Sequence, residues 1–375
     1  MPLFVTCAQG VEKLLCDELA EIGFKEVSTG FRGVHVRDDS MEAIYKINYC
    51  SRLGGRVLLP LAQFRCYDQK SLYFEVSKIE WHRYLRKGQS LAIDANVHHP
   101  LLRNSLFAAQ LTKDAICDQL RERSGWRPDV DLKDPDLQLN LFIHEQRASL
   151  SFDTSGSPLY KRGYRQDAGP APIQESLAAA LLRMAGYQGS EVLLDPCCGS
   201  GTLLIEAALI ASKTPPGYLR KKWGFMAHPD YALQEWLKVK NDADDQRQEI
   251  QEGHFFGCEI DTEVARICRD NLRAAGFHRQ VEILRKDFND YIPNDKVNFL
   301  ISNPPHGKRL SEIEDLKQLY RSLGNLMKRK MTKPSRGFIF TGSSELAKEI
   351  GLATKRRHVV SNSGIDSRLL EFDLY

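Results

Sequence analysis

Two short stretches gather the residue types that do chemistry: DPCCGSGT at residues 195–202 and NPPH at residues 303–306. In the first, the apolar run Val192-Leu193-Leu194 ends at Asp195. The chain then turns through Pro196, Cys197, Cys198, Gly199, Ser200 and Gly201 into a helix expected from Thr202. Glycines at 199 and 201 let backbone approach a ligand closely, and a helix N-terminus offers free N–H groups to an anionic group. Alone, the pattern equally describes a tight strand-to-helix turn. In the second stretch, two prolines end sheet pairing and stiffen the chain, so the Pro304 carbonyl has little freedom. With the Asn303 amide oxygen it offers two acceptors suited to a planar –NH2 group. An exocyclic amine is a poor nucleophile because its lone pair is delocalised into the ring. Holding both N–H bonds aims that lone pair and stabilises charge developing on nitrogen. Neither a metal nor a covalent intermediate is needed, and His306 would stack on an unpaired base.

Acidic residues after the next two strands narrow the ligand. One apolar run ends Phe256-Gly257-Cys258-Glu259-Ile260-Asp261, which places a carboxylate at the sheet edge where it can accept both hydroxyls of a ribose. Glu259 follows the apolar run directly, whereas Asp261 is expected to cap the following helix. A third run ends Lys286-Asp287-Phe288, able to hydrogen-bond and cover an adenine ring. Three acids after three successive strands, with an amine-gripping turn after a fourth, point to S-adenosylmethionine as the cofactor.

These loops require a frame. From residue 174 onward, apolar strands alternate with helices: helix 174–184, strand 191–195, helix 202–211, strand 254–259, helix 262–275, strand 281–285, strand 297–302, helix 313–329, strand 337–341, helix 344–352, and strands near 358–361 and 368–375. Such βαβ alternation predicts a buried parallel sheet. Residues 212–253 interrupt it with a Pro, Gly and basic half and then a charged, exposed helix expected at 237–251, at a place where an open α/β sheet can reach a ligand. The first half mixes shorter strands with helices at 10–22, 41–49, 72–76 and 104–123, an α+β pattern of modest sheets. Between them, DTSGSPLYKRGYRQDAGPAP at 153–172 is the clearest domain boundary.

Composition sets the outer limits. At 375 residues the chain calls for two or three domains. No apolar run reaches membrane-span length, and the N-terminus lacks the features of a secretory signal. The nine cysteines form no CxxC pair, so neither zinc spacing nor a disulfide framework is indicated and a reducing compartment, the cytoplasm, is expected. Net charge is only +3, but Lys161-Arg162, Arg220-Lys221-Lys222, Lys328-Arg329-Lys330 and Lys355-Arg356-Arg357-His358 are compatible with a phosphate-tracking face.

DPCCGSGTLLIEAAL, GCEID, KDF and SNPPHGKRL together resemble the class I amino-methyltransferases of nucleic acid. The YKRGYR segment, the IQESLAAALL segment and the PPGYLRKKWGFMAHPD insertion resemble more narrowly the THUMP-domain, RlmL/YpsC-type guanine-N2 methyltransferases of large-subunit (23S) ribosomal RNA. The resemblance implies an α/β fold: a Rossmann-like methyltransferase domain with a seven-stranded, mostly parallel sheet at 156–375. It implies a ferredoxin-like segment at 1–50 and a THUMP RNA-binding domain at 51–155 before it. It implies a cofactor site of Pro172, Asp195, Cys197, Gly199, Gly201, Thr202, Glu259, Ile260, Asp287 and Phe288, with Asn303, Pro304, Pro305 and His306 catalytic and S-adenosylhomocysteine as product. His306 stands where the family usually has Tyr or Phe, and imidazole stacks over less area and can titrate. Some long family members carry a second methyltransferase domain, for which this chain ends too early. The implied substrate is 23S rRNA or a pre-ribosomal large subunit. Guanosine N2-methylation of tRNA, DNA adenine methylation and a non-catalytic RNA-binding assembly role are the competing readings.

Overall fold

A computed structural model describes residues 1–167, 172–293, 296–305, 313–362 and 365–375. The chain divides into two compact units. The first comprises Met1–Cys7, Cys16–Leu159 and Arg220–Asn241; the second comprises Ala8–Leu15, Tyr160–Leu219 and Asp242–Tyr375.

Through residue 153 the elements run β1 (Leu3–Thr6), α1 (Glu12–Glu21), β2 (Val27–Gly30), β3 (Gly33–Val36), α2 (Met41–Cys50), β4 (Val57–Arg65), α3 (Gln69–Ser77), β5 (Ser90–His98), α4 (Ser105–Ser124), β6 (Asp129–Val130), β7 (Leu137–His144) and β8 (Arg147–Asp153). The strands form one eight-stranded sheet in the order β2-β3-β1-β4-β8-β7-β5-β6, rather than the separate modest sheets expected. The join is β4. It pairs with β1 through Val57 and Leu58, and with β8 from Leu58 to Arg65. One face of β7 carries Leu137, Leu139, Leu141 and Ile143 into a core with Leu72, Val76, Ile116 and Leu120 from the helices. The alternate residues face away, as the two-residue period of a strand requires.

The segment Arg220–Asn241 belongs to this first unit. Its ordered helix, α7 (Leu233–Asp244), begins earlier than expected and is not wholly exposed. Trp236 is buried against Tyr45 and Tyr49 of α2 and against Trp223 and Phe225. That aromatic cluster explains the shift in register: large aromatic surface sets the buried face, where the charge count had indicated solvent.

The remaining elements are α5 (Glu175–Met184), β9 (Val192–Asp195), α6 (Thr202–Ala211), β10 (Phe255–Glu259), α8 (Thr262–Ala275), β11 (Val281–Arg285), β12 (Val297–Ser302), α9 (Ile313–Arg329), β13 (Ser335–Thr341), α10 (Ser344–Glu349), β14 (Arg356–Asn362) and β15 (Ile365–Leu374). Seven strands pair in the order β11-β10-β9-β12-β13-β15-β14. The first five are mutually parallel, and β15 runs antiparallel to both β13 and β14. The sheet is therefore the seven-stranded, mostly parallel one anticipated. From β9 the strand order runs outward through β10 and β11 on one side and through β12 and β13 on the other. The topological switch point thus falls between β9 and β12, and the crevice beyond their carboxyl ends is where such sheets receive ligands. All four residues of β9 are buried, as a central strand covered on both faces must be. Among the described residues, no helix is long and apolar enough to cross a membrane.

Candidate active site

The loop after β9 and the turn after β12 emerge side by side at the switch point, because β9 and β12 pair directly. Gly201 caps α6 with φ +85°, and a Cβ built there would lie 2.6 Å from Cys268 Sγ. Only glycine fits. Gly199 is also left-handed, at φ +53°, yet among the described residues nothing lies within 4 Å of where its Cβ would be. The first glycine is thus required by the packed helix below, and the second leaves open space above the loop.

The loop is clamped from beneath by Arg165 and Asn271, to which the sequence assigned no role. Arg165 donates to Glu175 Oε1 (2.9 Å), Ile173 O (2.9 Å), Ser200 Oγ (3.3 Å) and Thr202 Oγ1 (3.0 Å). Asn271, buried on α8, donates to Ser200 O (3.0 Å) and Asp167 O (3.2 Å) and accepts from the Gln166 N–H (2.8 Å). Thr202 is buried under this clamp. The only sequence sign of Arg165 was its place in the KRGYR segment at the domain boundary.

Asp195 is buried, and its Oδ1 accepts from the Cys197 N–H at 3.1 Å and from Ser302 Oγ at 2.6 Å. Burial pushes its carboxyl up to about 7; the Ser302 and Cys197 hydrogen bonds oppose that rise, and the nearby Glu259 charge adds to it. Cys197 is half-buried, and burial drives its thiol well above the ordinary range.

Glu259, at the end of β10, receives the Gly199 N–H on Oε2 at 3.1 Å and the Asp261 N–H on Oε1 at 2.9 Å. A carboxylate offers about four lone-pair sites, so one on each oxygen remains for ribose hydroxyls. Asp261 caps α8 as anticipated, accepting from the Glu263 and Val264 N–H groups. Ile260 between them is 70 % exposed, an apolar side chain at the crevice rim. Asp287 accepts from the Asn289 N–H at 2.8 Å through Oδ1. Phe288 is buried in the core with Leu194, Cys258 and Leu300, so its ring is already occupied in packing. Pro172 is exposed, beside residues 168–171, which lie outside the described residues.

At the end of β12, Ser302 is fully buried, Pro304 is buried and Pro305 exposed. The Asn303 Oδ1 is buried and accepts no hydrogen bond from the described residues. An orphaned acceptor of this kind costs about 1–3 kcal/mol, which a donor arriving with a substrate would recover. His306 lies outside the described residues. No group of three or more His, Cys, Asp or Glu able to hold a metal ion occurs among the described residues. The open space over Gly199, the free lone pairs of Glu259 and the orphaned Asn303 oxygen fit a nucleoside-type methyl donor beside an amine acceptor.

Fold and site together define a class I methyltransferase. Comparison with known proteins specifies it further. Residues 162–371 match the family described as the RMKL-like methyltransferase domain, residues 66–153 match the THUMP domain, and residues 2–58 match the RlmL ferredoxin-like domain. The chain belongs to this RMKL-like family of S-adenosylmethionine-dependent methyltransferases. It is 38 % identical over 381 aligned positions to the ribosomal RNA large subunit methyltransferase K/L of Syntrophotalea carbinolica, covering 99 % of this chain and 53 % of that protein. A Synechocystis sp. protein named as an RNA methyltransferase is 36 % identical across 100 % of this chain and 97 % of its own length. The chain spans about half the length of the K/L relatives it matches. A methyltransferase solved with S-adenosylhomocysteine superposes with TM-score 0.88 at 27 % identity, over 99 % of this chain and 97 % of its own.

Proposed function

We propose that this protein transfers a methyl group from S-adenosylmethionine to the exocyclic N2 amine of a guanosine in large-subunit ribosomal RNA. The observation that carries the reading is the buried, unsatisfied Asn303 Oδ1 at the switch point, next to the clamped loop. Bound in the crevice, S-adenosylmethionine supplies an electrophilic sulfonium methyl and leaves as S-adenosylhomocysteine.

The chain's residues do the rest. Gly199 leaves room for the ligand's approach, Glu259 receives the ribose hydroxyls, Asp287 reaches the adenine edge and exposed Ile260 covers its face. Asn303 Oδ1 and the Pro304 carbonyl each accept one N–H of the guanine amine. That grip turns the nitrogen lone pair toward the methyl; the C–N bond forms as the methyl–sulfur bond breaks, its electron pair staying on sulfur, and one amine proton passes to water. His306 stacks on the base. Residues 51–155 supply RNA binding and 156–375 supply catalysis, except that 220–241 goes with the first. The THUMP match and the K/L relatives favour RNA, and hence 23S rRNA or a pre-ribosomal large subunit in the cytoplasm.

The test uses the full chain, methyl-labelled cofactor, and in parallel protein-free 23S rRNA, assembled large subunits, tRNA and DNA. Nucleosides are then identified by mass spectrometry. N2-methylguanosine from large-subunit RNA supports the proposal. Label in tRNA or in DNA adenine, or no transfer at all, overturns it.

A further inference from the structure

The solvent face of the sheet formed by β4, β8, β7 and β5 carries an arrangement that packing does not require. The register sets Arg65 opposite Arg147, Arg147 opposite His144, and His144 opposite His98. Partners side by side project from one face, so these four form a single row across four strands. All four are exposed. Neither arginine has a carboxylate partner among the described residues. One step along β7, on the same face, Phe142 is 38 % exposed, opposite the exposed Asn96 of β5. The Phe142 and His144 rings lie 7° from parallel with centroids 6.4 Å apart, and the His98 ring meets His144 edge-on at 6.3 Å.

An exposed phenylalanine in mid-sheet sacrifices burial, and unpaired arginines beside it repel one another. Both features are resolved by one kind of partner. Arginines attract phosphate, while parallel rings standing on a sheet accept bases splayed from a single strand. A duplex keeps its bases stacked inside and cannot use the rings. An acidic protein would satisfy the arginines and leave Phe142 unexplained. Resting on the reading of RNA as substrate, we propose that this face binds a single-stranded RNA segment. Bases stack on Phe142 and His144, and the backbone runs along Arg65 and Arg147.

The experiment measures binding of the full chain to a short fluorescent single-stranded RNA of mixed sequence and to the same RNA annealed to its complement. Calorimetric cofactor binding and thermal unfolding serve as controls. The wild-type chain is expected to favour the single strand. Phe142→Ala is expected to weaken that binding about tenfold, Phe142→Tyr to retain it, and Arg65→Glu with Arg147→Glu to weaken it further and reduce its salt dependence. Cofactor affinity and unfolding temperature are expected to stay unchanged. If the wild-type chain binds RNA but neither variant weakens it, or if duplex binds as tightly as the single strand, this face is not the site while the RNA reading survives. If the arginine pair matters and Phe142→Ala does not, stacking is refuted. If the wild-type chain binds neither RNA, both readings fall.

Discussion

Ser302 Oγ donates a 2.6 Å hydrogen bond to Asp195 Oδ1, tying the last residue of β12 to the last residue of β9. The residue before the Asn303-Pro304-Pro305 turn is thereby held to the residue that opens the glycine loop. Two motifs more than a hundred positions apart share one buried contact.

That contact has a pH signature. Asp195 has its carboxyl raised from the ordinary 3.8 to about 7. Between those values the folded state keeps a proton that the unfolded state has released, so this group's stabilisation falls as pH rises from about 4 to 7 and is flat above. Asp195→Asn should therefore gain unfolding free energy relative to wild type across that window, without cofactor. A difference that does not change between pH 4 and pH 8 would show that Asp195 ionises normally.

The two loop glycines should separate by substitution. Gly201→Ala forces a left-handed alanine against Cys268 Sγ and should cost about 2–4 kcal/mol in denaturant unfolding. Gly199→Ala meets no atom of the described residues, so it should cost only about 1–2 kcal/mol of backbone strain. Calorimetry should nonetheless find its cofactor affinity sharply reduced, because the methyl group occupies ligand space. Equal cofactor affinity in Gly199→Ala and wild type would remove Gly199 from the site.

Glu259→Ala removes the acceptor of the Gly199 N–H and, on the proposed reading, the acceptor of the ribose hydroxyls. Loss of a charge-assisted contact of about 1.5–3 kcal/mol predicts at least about tenfold weaker cofactor binding. Glu259→Gln should fall between the two. An Ala variant that binds as wild type would assign the ribose to another acid.

Asn303→Ala should leave cofactor affinity intact and lower turnover by about a hundredfold or more, the scale of losing one preorganised charge-stabilising contact. Because the Oδ1 is unsatisfied in the free protein, the variant should be no less stable than wild type. Retained turnover would refute the role given to this residue.

Much of the frame was legible in advance for physical reasons. Strands 281–285 and 297–302 and helices 202–211 and 262–275 fall where the apolar runs and their Asp, Gly and Pro boundaries place them. The pairing of β4 with both β1 and β8 was not legible, since long-range register leaves no local pattern. Helix α7 was misplaced because its charge outweighed the single Trp236 that anchors it. The contacts of Arg165, Asn271 and Ser302 were not legible for a related reason. Each is a polar residue whose importance lies in what it touches, and loops and helix faces are full of such residues.

The chain passes between its two compact units after Cys7, Leu15, Leu159, Leu219 and Asn241. No single scissor cut yields two modules. A fragment starting at residue 160 would carry Trp223, Phe225 and Trp236 without Tyr45 and Tyr49, leaving a sticky aromatic surface bare. The same interleaving means that an exchange made at any one of these junctions divides at least one unit instead of transferring it whole.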